Sequence, residues 1–102
     1  MKFVVKGPLK DNVYTLSRKL GYFFQEKSGN EIKFVRPKKG FPRFHLILKI
    51  EGENIICNLH LDQKAPKYEG TPAHAGEYES KVVREEVEKI RKVLEASKFE
   101  KS

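Results

Sequence analysis

The chain is poor in several residue types: it contains no tryptophan, one methionine, one cysteine and only two aspartates, Asp11 and Asp62. A single cysteine excludes an internal disulfide framework, and we expect Cys57 to be reduced inside an apolar strand. No apolar run approaches the roughly 20 residues that a membrane-spanning helix needs. Gly7 and Pro8 interrupt the first residues before a signal-peptide core could form. We therefore expect a cytoplasmic protein with no membrane partner.

Acidic residues are also fewer than basic residues. The 102 residues include 21 lysines and arginines against 14 acidic residues, which gives a net charge of +7. Such an excess suits a phosphate backbone or another anionic partner. However, 34% of the residues are charged and amides are scarce, which is also typical of heat-adapted proteins whose surface charges bind nothing. The positions of the charges therefore matter more than their sum.

The periodicity of apolar residues predicts the element order β-α-β-β-β-β-α. A short strand at residues 2–5 precedes a helix that either Asp11 or Asn12 caps and that Gly21 ends. Residues 22–36 are predicted to form a hairpin around a glycine-containing turn. An alternative left open by the pattern continues the first helix through Phe24.

The two clearest strands follow at residues 43–51 and 54–62, where polar and apolar side chains alternate. Prolines and glycines then mark residues 63–79 as a long irregular loop. Ser80 is predicted to cap a final helix with one apolar stripe, formed by Val83, Val87, Ile90 and Leu94.

These elements predict an α+β fold, an antiparallel sheet of four to five strands with two helices packed on one face. We expect a single domain over residues 1–98 and a disordered C-terminal tail at residues 99–102. The sheet face that the helices leave uncovered is called the open face below. It would be available to a partner, to the long loop or to water.

Two histidines are predicted to lie side by side on the open face. A two-residue turn between the long strands sets a register in which His45 faces His60 and Arg43 faces Asp62. Cross-strand neighbours lie roughly 4.5–5.5 Å apart at Cβ, so both imidazoles can contact one ion or ligand. The loop after the second long strand carries His74, and a loop that folds back would bring this residue to the same place.

Four interpretations of this cluster stay open. In a structural one, polar groups anchor the loop over a second small core of Ile47, Ile56, Tyr68 and Tyr78. In a metal site, zinc or another divalent ion is held by His45, His60, His74 and Asp62. In the third, the histidine pair performs metal-free acid–base catalysis. In the fourth, the face binds phosphates or bases, and Asn58 contributes to it.

Positive charge is densest at residues 36–43, RPKKGFPR, which we call the basic linker. It contains four cations and one aromatic residue, Phe41, but no acid. A cationic, glycine-bearing loop of this kind can follow a sugar–phosphate backbone and stack one base. Lys64 extends the patch beyond the second long strand. The alternative is a solvated loop that keeps sheet edges apart.

The helix, three strands and final helix loosely resemble the layout of double-stranded-RNA-binding domains. The lysine cluster that opens the last helix in those domains is absent, because residues 80–84 carry only two cations. With NLHLDQK at residues 58–64 and HAGEY at 74–78, most of the chain is similar to a group of short uncharacterised proteins of candidate-phyla bacteria and archaea. That resemblance implies no activity and supplies no site residue.

We expect a small basic nucleic-acid-binding domain that is not an enzyme and needs no cofactor. The expected contacts to RNA or DNA are Arg36, Lys38, Lys39, Phe41, Arg43, His45, Asn58, His60 and Lys64. One alternative is a metal-dependent hydrolase or nuclease centred on His45, His60, Asp62 and His74. A second alternative is a protein-interaction module that uses an exposed sheet edge.

Overall fold

The computed structural model describes the backbone of residues 1–63 and 75–98, and the side chains of residues 1–63 and 80–98. The predicted tail at 99–102 lies outside the described residues. The elements are β1 (Lys2–Val5), α1 (Val13–Lys19), β2 (Phe23–Ser28), β3 (Glu31–Arg36), β4 (Arg43–Glu51), β5 (Asn54–Asp62) and α2 (Ala75–Ala96).

The five strands form one antiparallel sheet in the order β1-β5-β4-β3-β2. This arrangement with two helices confirms the predicted α+β fold and element order. The first strand joins the sheet beside β5, while β2 forms the opposite edge. All six residues of β2 are exposed, and a register irregularity between Phe24 and Glu26 interrupts its pairing with β3.

Helix α1 is short because residues next to each of its ends stop it there. The side chain of Asn12 accepts a hydrogen bond of 2.9 Å from the backbone N–H of Thr15, which caps the first turn. Leu20 ends the helix, and Gly21 follows with a φ of 87°, a conformation that glycine adopts without strain. Because β2 begins at Phe23, the alternative of a continuous helix through Phe24 is wrong.

The long hairpin has the predicted boundaries and register. Glu51 pairs with Asn54 across the Gly52-Glu53 turn, and the pairs His45–His60 and Arg43–Asp62 follow from it. Gly52 has a φ of 61°, as a tight hairpin turn requires. The apolar residues of both strands consequently lie on the same face, where the alternation had placed them.

Helix α2 begins six residues earlier than predicted. The sequence interpretation assigned residues 75–79 to the loop and made Ser80 the cap, but the helix already starts at Ala75. A glycine near a helix start costs little, and the surrounding alanine and glutamates favour helix, so Gly76 was an unreliable loop signal. The predicted apolar stripe is confirmed, with all four members buried.

The core lies between the sheet and the two helices. Its buried side chains come from every element except β2, and they include Phe3 and Val5 of β1, Leu16 of α1, Phe34 of β3 and Leu59 of β5. The end of α2 is tied to the segment before α1. There the carbonyl of Ser97 accepts a hydrogen bond of 2.6 Å from Lys10 N–H, and its hydroxyl accepts one of 3.2 Å from Asp11 N–H.

Neither described helix combines the length and apolar character needed to cross a membrane.

Candidate functional site

The open face carries rows of side chains that cross the sheet, since residues paired between neighbouring strands point to the same side. One row joins Phe23, Val35, His45 and His60 through successive pairs on β2, β3, β4 and β5. Val35 is only 5% exposed, whereas Phe23 is 46% exposed and His60 is also exposed. The row therefore has a buried apolar centre and accessible rings at its two ends.

Arg43, His45 and Asp62 form a compact polar group beside this row. Oδ2 of Asp62 lies 3.6 Å from a terminal guanidinium nitrogen of Arg43 and 3.3 Å from Nε2 of His45. The Nε2 atom of His45 is shielded from solvent but is not aligned for a hydrogen bond with any described group. Arg43 and His45 are 21% and 27% exposed, and Asp62 is 44% exposed. Asp62 thus serves as the counter-charge of Arg43.

His60 and Asn58 lie next to this group on β5. His60 pairs with His45, so the two imidazoles occupy neighbouring positions as the register predicted. Asn58 is half-buried opposite Ile47, and its side-chain oxygen lies 3.5 Å from the amino group of Met1. Ile47 and Ile56 are half-buried, as the structural interpretation expects, but Tyr68 and the side chain of Tyr78 lie outside the described residues.

The basic linker places cations against aromatic rings at the same end of the sheet. The guanidinium of Arg43 lies 4.7 Å from the ring centre of Phe41, and the amino group of Lys38 lies 5.8 Å from that of Phe23. Phe41 is 44% exposed, and Lys38 and Lys39 are both exposed. Both contacts are within the range of cation–π attraction.

Arg36 is directed to the other side of the sheet. Its guanidinium donates a hydrogen bond of 2.8 Å to Oε2 of Glu86, and the hydroxyl of Tyr22 donates one of 2.6 Å to the same oxygen. The guanidinium also lies 5.6 Å from the ring centre of Tyr22 and 5.2 Å from that of Phe44. Arg36 therefore joins β3 to helix α2 and is separated from the other predicted nucleic-acid contacts.

This buried cluster changes the acidity of its members. Burial, together with the hydrogen bond to Glu86 and its charge, raises the pKa of the Tyr22 hydroxyl well above its usual value. Burial alone would lower the pKa of Arg36, but the hydrogen bonds and electrostatic interactions with Glu86 and Tyr22 together raise it. Tyr22 is consequently held neutral and Arg36 is held charged, which suits the single carboxylate between them.

The predicted metal site combines residues of the long hairpin with His74. His45 and Asp62 are in contact, and His60 is adjacent to His45, but His74 lies outside the described residues, as does Lys64. Among the described side chains, no group of three or more histidine, cysteine, aspartate or glutamate residues could hold a metal ion. The four-ligand set thus stays a prediction that depends on His74.

Sequence reasoning missed Phe23 and Val35 of the row on the open face and Glu86 of the buried cluster around Arg36. Phe23 and Val35 were assigned to a hairpin without a defined register, so their alignment with the histidine pair was not foreseen. The bulge after Phe24 left no simple alternation from which to derive that register. Glu86 was treated as one of several helix glutamates; its spacing of three or four residues from the buried Val83 and Ile90 was the available signal.

Comparison of the chain with protein-family models, with curated proteins and with solved structures found no match.

Proposed function

We propose that the protein is a non-enzymatic nucleic-acid-binding domain that uses the basic linker and the adjoining part of the open face. The observation that carries the proposal is the stacking of the Arg43 guanidinium on Phe41 at 4.7 Å, next to His45. A guanidinium held against a ring keeps its outer edge available for phosphate, and the ring offers a stacking surface.

The distribution of charge supports the same end of the face. No acid occurs between Glu31 and Glu51, a stretch that contains the whole basic linker and most of β4. Apart from Asp62, the acids of the face are concentrated toward the hairpin turns, where Glu26 pairs with Lys33 at 3.1 Å and Glu51 pairs with Lys49 at 3.4 Å. Positive potential is therefore least compensated around the linker, where a phosphate backbone would bind.

The residues we assign to phosphate contact are Lys38, Lys39 and Arg43, with Lys64 as a further candidate outside the described residues. Arg36 is left out, since its guanidinium is engaged by Glu86. His45, Asn58 and His60 are assigned to base or sugar contacts, because neutral imidazole and amide groups both donate and accept hydrogen bonds.

The test is fluorescence anisotropy with labelled RNA and DNA oligonucleotides at low salt. We expect dissociation constants in the micromolar range, as is typical of binding dominated by a few phosphate contacts. A Lys38→Ala, Lys39→Ala double variant should weaken binding by about tenfold or more.

The matched control removes the same charge from a different surface. Lys89 and Lys92 are exposed on helix α2, and a Lys89→Ala, Lys92→Ala variant has the same net charge as the linker variant. We expect this control to bind nearly as well as the parent protein. No binding at micromolar protein, or equal losses in the two double variants, would refute a site at the linker.

A further inference from the structure

The row of Phe23, Val35, His45 and His60 indicates which form of nucleic acid the open face accepts. These residues are joined by register pairs across four neighbouring strands. Strands in a sheet lie about 4.7–4.9 Å apart, so the three steps from Phe23 to His60 span about 14 Å. That length accommodates the two or three bases that sheet surfaces commonly stack.

The chemistry of the row suits exposed base faces. Phe23 at one end and His60 at the other are accessible, while Val35 between them is buried. Each base that stacks on an aromatic side chain contributes about 1–3 kcal/mol without requiring a particular sequence. A base in a duplex is already stacked and paired, and its face is not available to such a row.

The cations lie where they can contact the phosphates of a nucleic-acid strand that runs along the row. Lys38 contacts the Phe23 ring at one end, and Arg43 lies on β4 beside His45. Both cations belong to the end of the face at which acids are scarce, with Asp62 as the local exception. A nucleic-acid strand that crosses the sheet at this end can place its phosphates toward the basic linker and its bases on the row.

We propose that the nucleic acid bound by the open face is single-stranded, with its bases stacked across the sheet on Phe23 and His60. This inference depends on the proposed nucleic-acid-binding function and adds the class of ligand to it. The charge complementarity and the accessible rings favour this occupant over an apolar protein segment, which would leave the linker cations without counter-charges.

The experiment compares single strands with duplexes of the same sequence, as RNA and as DNA, in anisotropy titrations at low salt. Oligonucleotides of about eight nucleotides are long enough to cover a row of this length. We expect the single strands to bind at least about tenfold more tightly than the duplexes. Similar affinities for single strands and duplexes would overturn the inference and leave nucleic-acid binding intact, whereas no binding of either would overturn both.

Two adjacent phenylalanines provide the variant and its control. Phe23 lies on the open face, whereas Phe24 is 54% exposed on the helix side, where its ring lies 5.9 Å from Tyr14 and 6.2 Å from Phe34. Phe23→Ala should weaken single-strand binding by about five- to 100-fold, the loss of one stacked base. Phe24→Ala should leave it unchanged.

His60→Ala tests the other end of the row and should also weaken single-strand binding. Melting temperatures of all three variants show whether each is folded, and the exposure of Phe23 and His60 makes large losses of stability unexpected. Equal effects of Phe23→Ala and Phe24→Ala on binding, in folded variants, would contradict the assigned row.

Discussion

Oε2 of Glu86 on helix α2 accepts a hydrogen bond of 2.8 Å from the guanidinium of Arg36 on strand β3. The Glu86 side chain is only 7% exposed and the Arg36 side chain is 31% exposed, so the carboxylate is more strongly shielded from solvent than the guanidinium. Tyr22 donates a second hydrogen bond to the same oxygen. A buried charge needs such partners, and this pair connects the β2–β3 hairpin to the final helix.

Removal of Arg36 should destabilise the fold. We expect Arg36→Ala to lower the free energy of unfolding by about 1–3 kcal/mol, because the buried carboxylate of Glu86 would lose its cation. Urea denaturation measures the change. Lys19→Ala, which removes an exposed pair with Asp11 at 3.5 Å, is the control and should cost less than about 1 kcal/mol. Equal costs in the two variants would show that the buried pair is not stabilising.

Stability should fall in alkaline solution through Cys57. Burial raises the pKa of this thiol from 9.0 to about 12, and the charge of Arg91 opposes the rise only partly. Between these two pH values the unfolded state loses its proton and the folded state keeps it, so stability decreases as pH rises. The expected slope is about −1.4 kcal/mol per pH unit from this group.

Cys57→Ala isolates that contribution, because alanine does not titrate. Urea denaturation at a series of pH values above 9.0 should give a steeper decline for the parent protein than for the variant. The raised pKa of Tyr22 acts in both proteins and cancels in the comparison. Parallel declines would mean that the Cys57 thiol ionises equally well in the folded state.

Neutralisation of Asp62 should strengthen nucleic-acid binding. Its carboxylate lies 3.6 Å from Arg43 and 3.3 Å from His45, so it competes with a phosphate for Arg43 and with a base or sugar group for His45. We expect Asp62→Asn to increase affinity by about two- to fivefold, the value of one partly exposed ion pair. Anisotropy titrations measure this change, and Asp11→Asn controls for the loss of one negative charge. A loss of affinity in Asp62→Asn would indicate that the carboxylate contacts the ligand directly.

Zinc and manganese should leave thermal stability unchanged. Asp62 and His45 contact each other, and the described side chains provide no group of three ligands. A metal that bound only the folded state would raise the melting temperature through mass action. Thermal melts of untagged protein with and without each ion are the measurement. A rise that His74→Ala abolishes would show that His74 binds the ion and would favour the hydrolase alternative.

Local sequence patterns predicted the central hairpin with its register. The alternation of residues 43–51 and 54–62 admits one pairing that keeps both apolar sets together, and a two-residue turn selects the same pairing. The sequence also predicted a cap at Asp11 or Asn12, of which the structure uses Asn12, and a glycine conformation at Gly21, because both depend on neighbouring residues alone.

The start of helix α2 could not be predicted in the same way. Gly76 and the prolines before it indicate a loop, yet the helix begins at Ala75. Most helical stability in proteins comes from packing of the apolar face, here the buried stripe from Val83 to Leu94, and only a folded partner surface provides it. A local signal near the helix start therefore has little weight.

The sequence by itself determined the fold class, the hairpin register and the adjacency of His45 and His60, since each follows from short-range periodicity. The tertiary structure decided that Arg36 belongs to a buried cluster with Glu86, residues 50 positions apart in the chain. It also decided that Phe23 shares a row with the histidines, through a bulged pairing that alternation does not predict. Contacts between distant segments depend on how whole helices and strands pack, and this packing depends on residues throughout the chain.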